Sequence, residues 1–217
     1  MVPEEIKFRE DDRIAVIAPH PDDECLGASS VLLLAPDRTD IFVLTDGSHG
    51  SRTRSIPEEA QVRKRQLEAE MDLVRPRAWY WFGYEDTRLA DYPEAAQRID
   101  FRPYTKIFLP QADSLHPDHR AAAAMCQAEI LAQKAAAECF AYEIFAPFHS
   151  PSHYADLTAL IDRKLALVRC HADQIRHEEM ITALNRFRGA QLARYDSACR
   201  YAEAFLAVRP AEDAQHA

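Results

Sequence analysis

Short apolar segments alternate with amphipathic segments over the first two thirds of the chain, and this alternation restricts the possible folds most. Strand patterns lie at 13–19, 40–45, 78–83, 106–110 and 139–145, and helical patterns lie between them at 24–35, 57–74, 92–100 and 117–137. Alternating strands and helices are typical of a parallel sheet covered by helices on both faces. The strands are apolar almost throughout, which also indicates a buried parallel sheet.

The last third of the chain is more irregular. After Pro147 the sequence predicts a loop, then helices near 156–173, with Asp156 as the N-cap, and near 189–207. With 217 residues the chain is long enough for one sizeable core. We therefore predict a single domain over residues 1–217, an α/β fold with the strand order 3-2-1-4-5, and a helical C-terminal part.

Charge and cysteine content disfavour several classes of protein. The formal net charge is −9, and the basic residues are scattered apart from Arg63-Lys64-Arg65, so we expect no nucleic-acid partner. The N-terminus is charged from the start and no apolar run approaches the ~18 residues of a membrane span. Five cysteines without a C-x-x-C pair indicate reduced thiols. We expect a cytoplasmic protein without membrane insertion.

Two polar segments each follow a predicted strand. PHPDDE, residues 19–24, comes directly after the first strand, and HPDH, residues 116–119, follows the fourth. In an open α/β sheet with the order 3-2-1-4-5, these strands are neighbours where the strand order reverses, which is where ligands bind. We therefore expect both segments to face one crevice.

The residue types in these segments are those of a metal-dependent hydrolase. Zn²⁺ accepts imidazole nitrogens and carboxylate oxygens, and a catalytic zinc ion typically takes three protein ligands and a water. His20, Asp23 and His119 supply such a set, which predicts one ion per chain, either zinc or ferrous iron. An ion of this kind would lower the pKa of its water towards ~7 and so prepare the water for attack.

Hydrolysis also needs a base and a group that stabilises developing negative charge. Asp22 is the candidate base because it neighbours a predicted ligand and projects differently from it. His116 is the candidate for polarising a carbonyl oxygen or protonating the leaving group. Asp118 is the candidate for fixing the tautomer of His116.

The two motifs, with TDG at 45–47 and YAEAF at 201–205, resemble those of the LmbE/PIG-L family of zinc-dependent N-acetylglucosamine deacetylases. The resemblance extends over about residues 13–207. It implies a Rossmann-like α/β fold and hydrolysis of the acetamide of a small N-acetylglucosaminyl conjugate. It also implies that the same three residues bind the metal, that Asp22 is the general base and that His116 stabilises the oxyanion.

Four further residues are candidate substrate contacts. Arg63, in R-x-x-Q-L, matches a family arginine that contacts the sugar or its anionic substituent, and a surface salt bridge would explain it equally well. Asp86 and Arg88 would line the pocket mouth or cap a turn. His49, where the family commonly has Glu nearby, would contact substrate, approach the metal or lie on a surface loop. Loop 146–155 would overhang the crevice.

Two other functions stay open at this point. A phosphoesterase with two metal ions about 3.5–4 Å apart would need Asp46, His49 and Asp113 as additional ligands. A non-catalytic carbohydrate-binding protein on the same fold would not need Asp22 or His116, and the chain has both. Counting the bound metal separates the first alternative from a deacetylase. A homo-oligomer is compatible with the sequence, which specifies neither the subunit number nor the group attached to the sugar.

Overall fold

One eight-stranded sheet organises the described chain. The structure, a computed structural model, describes residues 2–208 except for the side chains of residues 172–176. The strands are β1 (Glu4–Glu5), β2 (Ile14–Ala18), β3 (Thr39–Thr45), β4 (Ala78–Tyr84), β5 (Lys106–Pro110), β6 (Glu138–Tyr142), β7 (His153–Asp156) and β8 (Ala202–Val208). Their order is β1-β7-β8-β6-β5-β2-β3-β4. Pairing is parallel except that β8 is antiparallel to both β6 and β7.

Helices of very different lengths connect the strands. They are α1 (Asp23–Gly27), α2 (Ser29–Leu34), α3 (Ile56–Val74), α4 (Glu94–Gln97), α5 (Pro117–Ala132), α6 (Ile161–Val168) and α7 (Ile175–Leu192). Short 3₁₀ segments lie at Pro36–Arg38, Leu89–Asp91 and Arg169–Gln174. Within the part of the chain that the structure describes, no helix is both long and apolar enough to cross a bilayer.

The predicted strand order is confirmed. The five predicted strands correspond to β2 to β6, and their spatial order β4-β3-β2-β5-β6 is the expected 3-2-1-4-5. The sequence analysis missed β1, β7 and β8, which extend the sheet beyond β6. The mostly parallel α/β architecture is therefore correct, and the sheet is wider than predicted.

The C-terminal prediction is partly wrong. The helix expected over 189–207 ends with α7 at Leu192, and residues 202–208 form β8 instead. Ala202 and Phe205 are fully buried between neighbouring strands, so burial in the sheet overrides the helix propensity of an Ala-rich and Glu-containing segment. Asp156 ends β7, and α6 begins only at Ile161. The helix predicted over 24–35 is divided at Ala28 into α1 and α2.

Side chains of the central strands alternate between two hydrophobic clusters. In β2, Val16 packs in the cluster that contains Leu67 of α3, whereas Ile17 packs in the cluster that contains Ala122 of α5. All four side chains are fully buried. Burying a Val, Leu or Ile side chain contributes about 1.5–3 kcal/mol. The sheet is thus packed on both faces, which leaves its carboxyl-end edge to carry polar groups.

Hydrogen bonds hold the turn that follows β2. Thr45, at the end of β3, donates to the Pro19 carbonyl from its backbone nitrogen at 2.9 Å and from its hydroxyl at 2.8 Å. The buried Tyr142 hydroxyl donates to the Ile17 carbonyl at 2.7 Å. The start of the PHPDDE segment is therefore tied to two strand ends and is positioned by the sheet.

Strand β8 is tied to the first helices by a buried carboxylate. Glu203 accepts hydrogen bonds from the backbone nitrogens and hydroxyls of Ser29 and Ser30, at 2.6–2.9 Å. Lys164 of α6 lies 2.7 Å from the same carboxylate and donates to the Leu26 carbonyl at 2.7 Å. All of these groups are buried, so each depends on the others for its hydrogen bonds.

Candidate functional site

A cavity of about 240 Å³ lies at the carboxyl ends of the central strands. Both predicted polar segments reach it. The lining residues are His20, Asp22, Asp23, Gly47, His49, Gly50, Arg63, Asp86, Thr87, His116, Phe145 and His177. A larger cavity of about 620 Å³ lies elsewhere, between α7 and loop 149–152. We assign the candidate site to the smaller cavity, because carboxylates and imidazoles converge there.

The three predicted metal ligands meet at one oxygen atom. Asp23 Oδ2 lies 3.1 Å from His20 Nδ1 and 3.1 Å from His119 Nε2. Donor atoms about 2.0–2.1 Å from a tetrahedral ion are about 3.3 Å apart, so these spacings suit a shared ion. The contact between His119 Nε2 and Asp23 Oδ2 is an ion-pair distance without hydrogen-bond geometry, so this buried nitrogen has no hydrogen-bond partner among the described residues. An ion at this position would satisfy it, so the residues present fit a divalent metal.

The structure supports a second possible ligand set. Ligand atoms of His20, His116 and His119 all lie within 4.8 Å of one another. His116 is half-buried at the cavity, and its ring meets that of His20 edge-on, with 4.4 Å between ring centroids. Burial and the neighbouring imidazoles, His20 first, lower the pKa of His116. A neutral His116 is available either as a ligand or as a donor towards substrate.

Asp118 acts on a different histidine from the one expected. Its carboxylate lies 3.1 Å from His20 Nε2, and it accepts hydrogen bonds from the backbone nitrogens of Thr87 and Leu89. His116 Nδ1 instead accepts a hydrogen bond from the backbone nitrogen of Asp118 at 3.3 Å. The expectation that the Asp118 side chain fixes the tautomer of His116 is therefore wrong. Asp118 orients His20, in the way that carboxylates orient metal-binding imidazoles.

Asp22 occupies an unusual backbone conformation. Its φ is +125°, in the region that favours glycine, and non-glycine residues there cost about 1–3 kcal/mol. Arg63 donates from Nη2 to Asp22 Oδ2 at 2.8 Å and also to the Pro21 carbonyl, and Glu24 accepts from the Asp22 backbone nitrogen at 3.2 Å. Burial disfavours ionisation of Asp22, but the charge of Arg63 outweighs burial and lowers the pKa to about 2. Asp22 is thus an ionised carboxylate held in a fixed place.

Buried polar side chains pack behind the turn that contains Asp22. Glu24 and Glu70 are fully buried and share a hydrogen bond, and Glu70 lies 2.7 Å from His171 Nε2. Burial raises the pKa of Glu24 to about 8 and lowers the pKa of His171 to about 4. By residue type, Cys25, Glu70 and His171 could hold a metal. Their ligating atoms already hydrogen bond to one another, and burial raises the pKa of the Cys25 thiol well above its usual range.

Three of the four candidate substrate contacts line the cavity, and the fourth does not. Arg63 lines the cavity, but it is buried and pairs with Asp22. Asp86 also lines it, 3.2 Å from His20 Nε2, and accepts a hydrogen bond from the His49 backbone nitrogen at 2.9 Å. The His49 side chain is 39% exposed at the cavity mouth. Arg88 is more than half exposed, pairs with Glu85 and Asp91 and is not among the lining residues.

The residues predicted as additional metal ligands and the histidines of loop 146–155 can both be placed relative to the cavity. Asp46 accepts hydrogen bonds from two backbone nitrogens, and Asp113 is exposed; neither lines the cavity. His149 lines the larger cavity and His153 lies in β7, so loop 146–155 places its histidines away from the site. The residue just before this loop, Phe145, does line the cavity.

Among the described residues, a second group of possible metal ligands at the cavity lies on the far side of His20. Asp86 and Asp118 both face His20 Nε2, and the three form a possible ligand group. A single imidazole that binds ions through both nitrogens holds them about 6 Å apart, given metal–nitrogen bonds of about 2 Å. Two-metal phosphoesterases need about 3.5–4 Å. The geometry therefore disfavours the two-metal alternative.

Sequence reasoning missed His177 and Phe145. His177 lies near the start of α7, and its Nδ1 is 3.6 Å from Asp22 Oδ2. Phe145 packs against both His119 and His177, with ring centroids 5.7 and 5.8 Å apart. Neither residue lies in a recognisable motif. They reach the site because α7 and the segment after β6 fold over it, and local sequence carries no signal of that placement.

Histidine and aspartate side chains that converge at the carboxyl edge of a mostly parallel α/β sheet offer the donor types that a divalent metal accepts. The comparison with protein families is more specific. The model of the PIG-L family, described as GlcNAc-PI de-N-acetylase, matches residues 15–129, just over half of the chain, and the chain belongs to this family. No curated protein sequence matches the chain significantly.

Solved structures show the same fold at low sequence identity. N,N'-diacetylchitobiose deacetylase from Pyrococcus horikoshii is 22% identical, with 92% of this chain and 84% of that chain covered and a TM-score of 0.77. The conserved protein TT1542 from Thermus thermophilus is 27% identical, with 95% and 99% covered and a TM-score of 0.70. GalB, the 4-carboxy-2-hydroxymuconate hydratase from Pseudomonas putida, is 20% identical, with 94% and 100% covered and a TM-score of 0.72.

Proposed function

We propose that this protein is a metal-dependent N-deacetylase that hydrolyses the acetamide of a small N-acetylglucosaminyl or related N-acetyl sugar conjugate. The observation that carries the proposal is the meeting of His20 and His119 at Asp23 Oδ2, with the ionised Asp22 beside them in the same cavity. Membership of the PIG-L family supports the substrate class.

His20, Asp23 and His119 would hold one divalent ion, zinc or ferrous iron. An ion bound there supplies a Lewis acid that makes a water more acidic and polarises the acetyl carbonyl. Asp118 keeps His20 oriented through Nε2, which leaves Nδ1 for the ligand side. The protein contributes a fixed set of donors at the junction of β2 and β5, so little rearrangement accompanies the reaction.

Asp22 acts as the general base in this proposal. It removes a proton from the attacking water as the oxygen–carbon bond forms, and it returns that proton to the sugar nitrogen as the carbon–nitrogen bond breaks. Arg63 keeps the carboxylate ionised before the reaction. His116 lies next to His20 at the cavity and donates to the oxyanion, because the Asp118 backbone nitrogen occupies its Nδ1 and leaves Nε2 to carry the proton.

The substrate contacts follow from the cavity wall. Asp86, which is buried beside His20, and His49, at the cavity mouth, would bind sugar hydroxyls. Phe145 is 39% exposed and offers an aromatic face against which the apolar side of a sugar ring packs. Arg63 is committed to Asp22, so we assign it to the base and not to an anionic substituent of the substrate.

Acetate release tests the proposal directly. The protein, loaded with zinc or with ferrous iron under anaerobic conditions, is incubated with N-acetylglucosamine and with its conjugates, and acetate is measured by proton NMR. We expect acetate from at least one conjugate, faster than from the free sugar, with one metal ion per chain. Sugar binding without acetate release would indicate the carbohydrate-binding alternative.

Two other outcomes would point to different chemistry. Phosphate release from a phosphoester, with two ions per chain, would favour the phosphoesterase. Addition of water to an unsaturated acid without acetate release would indicate a hydratase, a reaction named for one protein of the same fold. Either result would overturn the deacetylase proposal.

A further inference from the structure

We propose that His177 is a positioning residue for Asp22, a role that rests on the deacetylase mechanism above. His177 lies on α7, more than 150 residues from the motif that it faces. Its Nδ1 is 3.6 Å from Asp22 Oδ2, and its side chain is 23% exposed at the cavity. The C-terminal part of the chain thereby contributes a polar group to the site.

The two oxygens of the Asp22 carboxylate have different surroundings. Arg63 donates to Oδ2 at 2.8 Å, and His177 faces the same oxygen. Each contact described for this carboxylate uses Oδ2, which leaves Oδ1 for the cavity and the reacting water. A second donor on Oδ2 would stop the carboxylate from rotating about its Cβ–Cγ bond.

His177 Nδ1 is itself available for this bond. It is buried and has no hydrogen-bond partner among the described residues. A buried ring nitrogen left without a partner is unfavourable, and a movement of about 0.5 Å would bring 3.6 Å into the hydrogen-bonding range. Hydrogen bonds at catalytic sites are often long in the free protein and shorten when substrate binds.

Phe145 limits where the imidazole can move. The rings of Phe145 and His177 meet at 64° with their centroids 5.8 Å apart, and Phe145 also packs against His119. Phe145 on one side and the Asp22–Arg63 pair on the other restrict the movement of the His177 ring. In the reaction His177 keeps its own proton, donates from Nδ1 to Oδ2, and leaves Oδ1 to take the proton of the water and pass it to the leaving amine.

Kinetics of variants at position 177 provide the first test. His177→Ala removes the donor, whereas His177→Asn places an amide nitrogen close to where Nδ1 lies. We expect the alanine variant to lose on the order of tenfold in kcat with KM and metal content unchanged, and the asparagine variant to recover much of it. The matched control is His149→Ala, because His149 is exposed and lines the other cavity.

A double-mutant cycle separates positioning from a general structural effect. If His177 acts through Asp22, His177→Ala has no further effect on the residual turnover of Asp22→Asn. An equal loss in both backgrounds, or no loss in His177→Ala relative to His149→Ala, would overturn the proposal. So would an asparagine variant that is no better than alanine.

The contact can also be tested without turnover. In the metal-free protein, Asp22→Asn should shift the imidazole nitrogen resonances of His177 in a ¹H–¹⁵N spectrum and leave those of His149 in place. Unchanged His177 resonances would contradict the contact. A wild-type protein that deacetylates nothing would refute the proposed function, and this spectrum would still decide whether His177 and Asp22 interact.

Discussion

Neighbouring aspartates in this site have different surroundings, which predict different roles. Among the described residues, Asp23 contacts two histidines and no arginine, whereas Asp22 pairs with Arg63. Burial disfavours ionisation of both, but interactions with His119 and His20 outweigh it for Asp23 and the charge of Arg63 outweighs it for Asp22, so the pKa of each is lowered. The carboxylate beside the imidazoles suits a metal ligand. The carboxylate beside the guanidinium is ionised and lies outside the group of proposed ligands, which leaves it for the role of base.

Exchanging one aspartate at a time tests this division of roles. Asp22→Asn should keep the bound metal and lose at least 100-fold in turnover, since a general base contributes about 10²–10⁴-fold. Asp23→Ala should lose the metal itself. Metal content by mass spectrometry and acetate release by NMR check the two effects separately. Equal metal loss in both variants would contradict the assignment.

Arg88 provides a matched control at the residue scale. It pairs with Glu85 and Asp91 on the surface and does not line the cavity. Exposed pairs of this kind contribute about 0–1 kcal/mol, so Arg88→Ala should leave kcat/KM and the melting temperature close to those of the wild type. A large rise in KM would instead indicate that Arg88 contacts the substrate.

At the scale of elements, the sheet was largely predictable and the C-terminal segment was not. Strands β2, β3 and β5 are buried along their whole length, so their apolar runs are visible in the sequence. Strand β8 has the sequence AEAFLAV, whose residues favour a helix when taken locally. Only its pairing between β6 and β7 makes it a strand, and no pattern within seven residues encodes that pairing.

The positions of candidate-site residues could be predicted where those residues follow predicted strands. His20, Asp23 and His119 follow predicted neighbouring strands, so strand order alone brings them together. His177 and Phe145 depend on how α7 and the segment after β6 cover the sheet edge, which is a tertiary property. The partner of Asp118 was also mispredicted: His116 was expected, and the fold places the Asp118 carboxylate against His20 instead.

The buried ion pair between β8 and α6 should matter strongly for stability. Glu203→Ala leaves the fully buried Lys164 ammonium without its carboxylate, and removing one partner of such a pair costs about 3–5 kcal/mol. Urea denaturation would measure this loss. Replacing both residues, as Glu203→Gln with Lys164→Met, should cost less than Glu203→Ala alone. A double variant that is equally unstable would show that the serine contacts of Glu203 dominate.

At the scale of the whole molecule, the candidate site concentrates negative charge in a chain that is already acidic. The formal net charge is −9, and three cavity aspartates, Asp22, Asp23 and Asp86, lie around His20 and its neighbours. A divalent cation that binds this group only in the folded protein would stabilise the folded state. Metal loading and global stability should therefore be linked.

Thermal unfolding with and without metal measures this link. An ion at 100 times its dissociation constant stabilises the folded state by about 2.7 kcal/mol, and for a chain of this size each kcal/mol raises the melting temperature by roughly 2–4 °C. Calorimetry should therefore show a rise of about 5–10 °C on adding zinc to chelator-treated protein. His119→Ala should show almost none. A melting temperature independent of metal in the wild type would contradict the metal site.

The left-handed backbone at Asp22 has a consequence for protein engineering. Glycine adopts φ +125° without steric conflict, but Asp22→Gly also leaves the buried Arg63 guanidinium without its carboxylate, so a gain of about 1–3 kcal/mol is outweighed by a loss of about 3–5 kcal/mol. Glycine at this bend should therefore raise the melting temperature only in a variant in which Arg63 is also replaced by an uncharged residue. The strained conformation of Asp22 is thus retained through a partner 41 residues away in the chain.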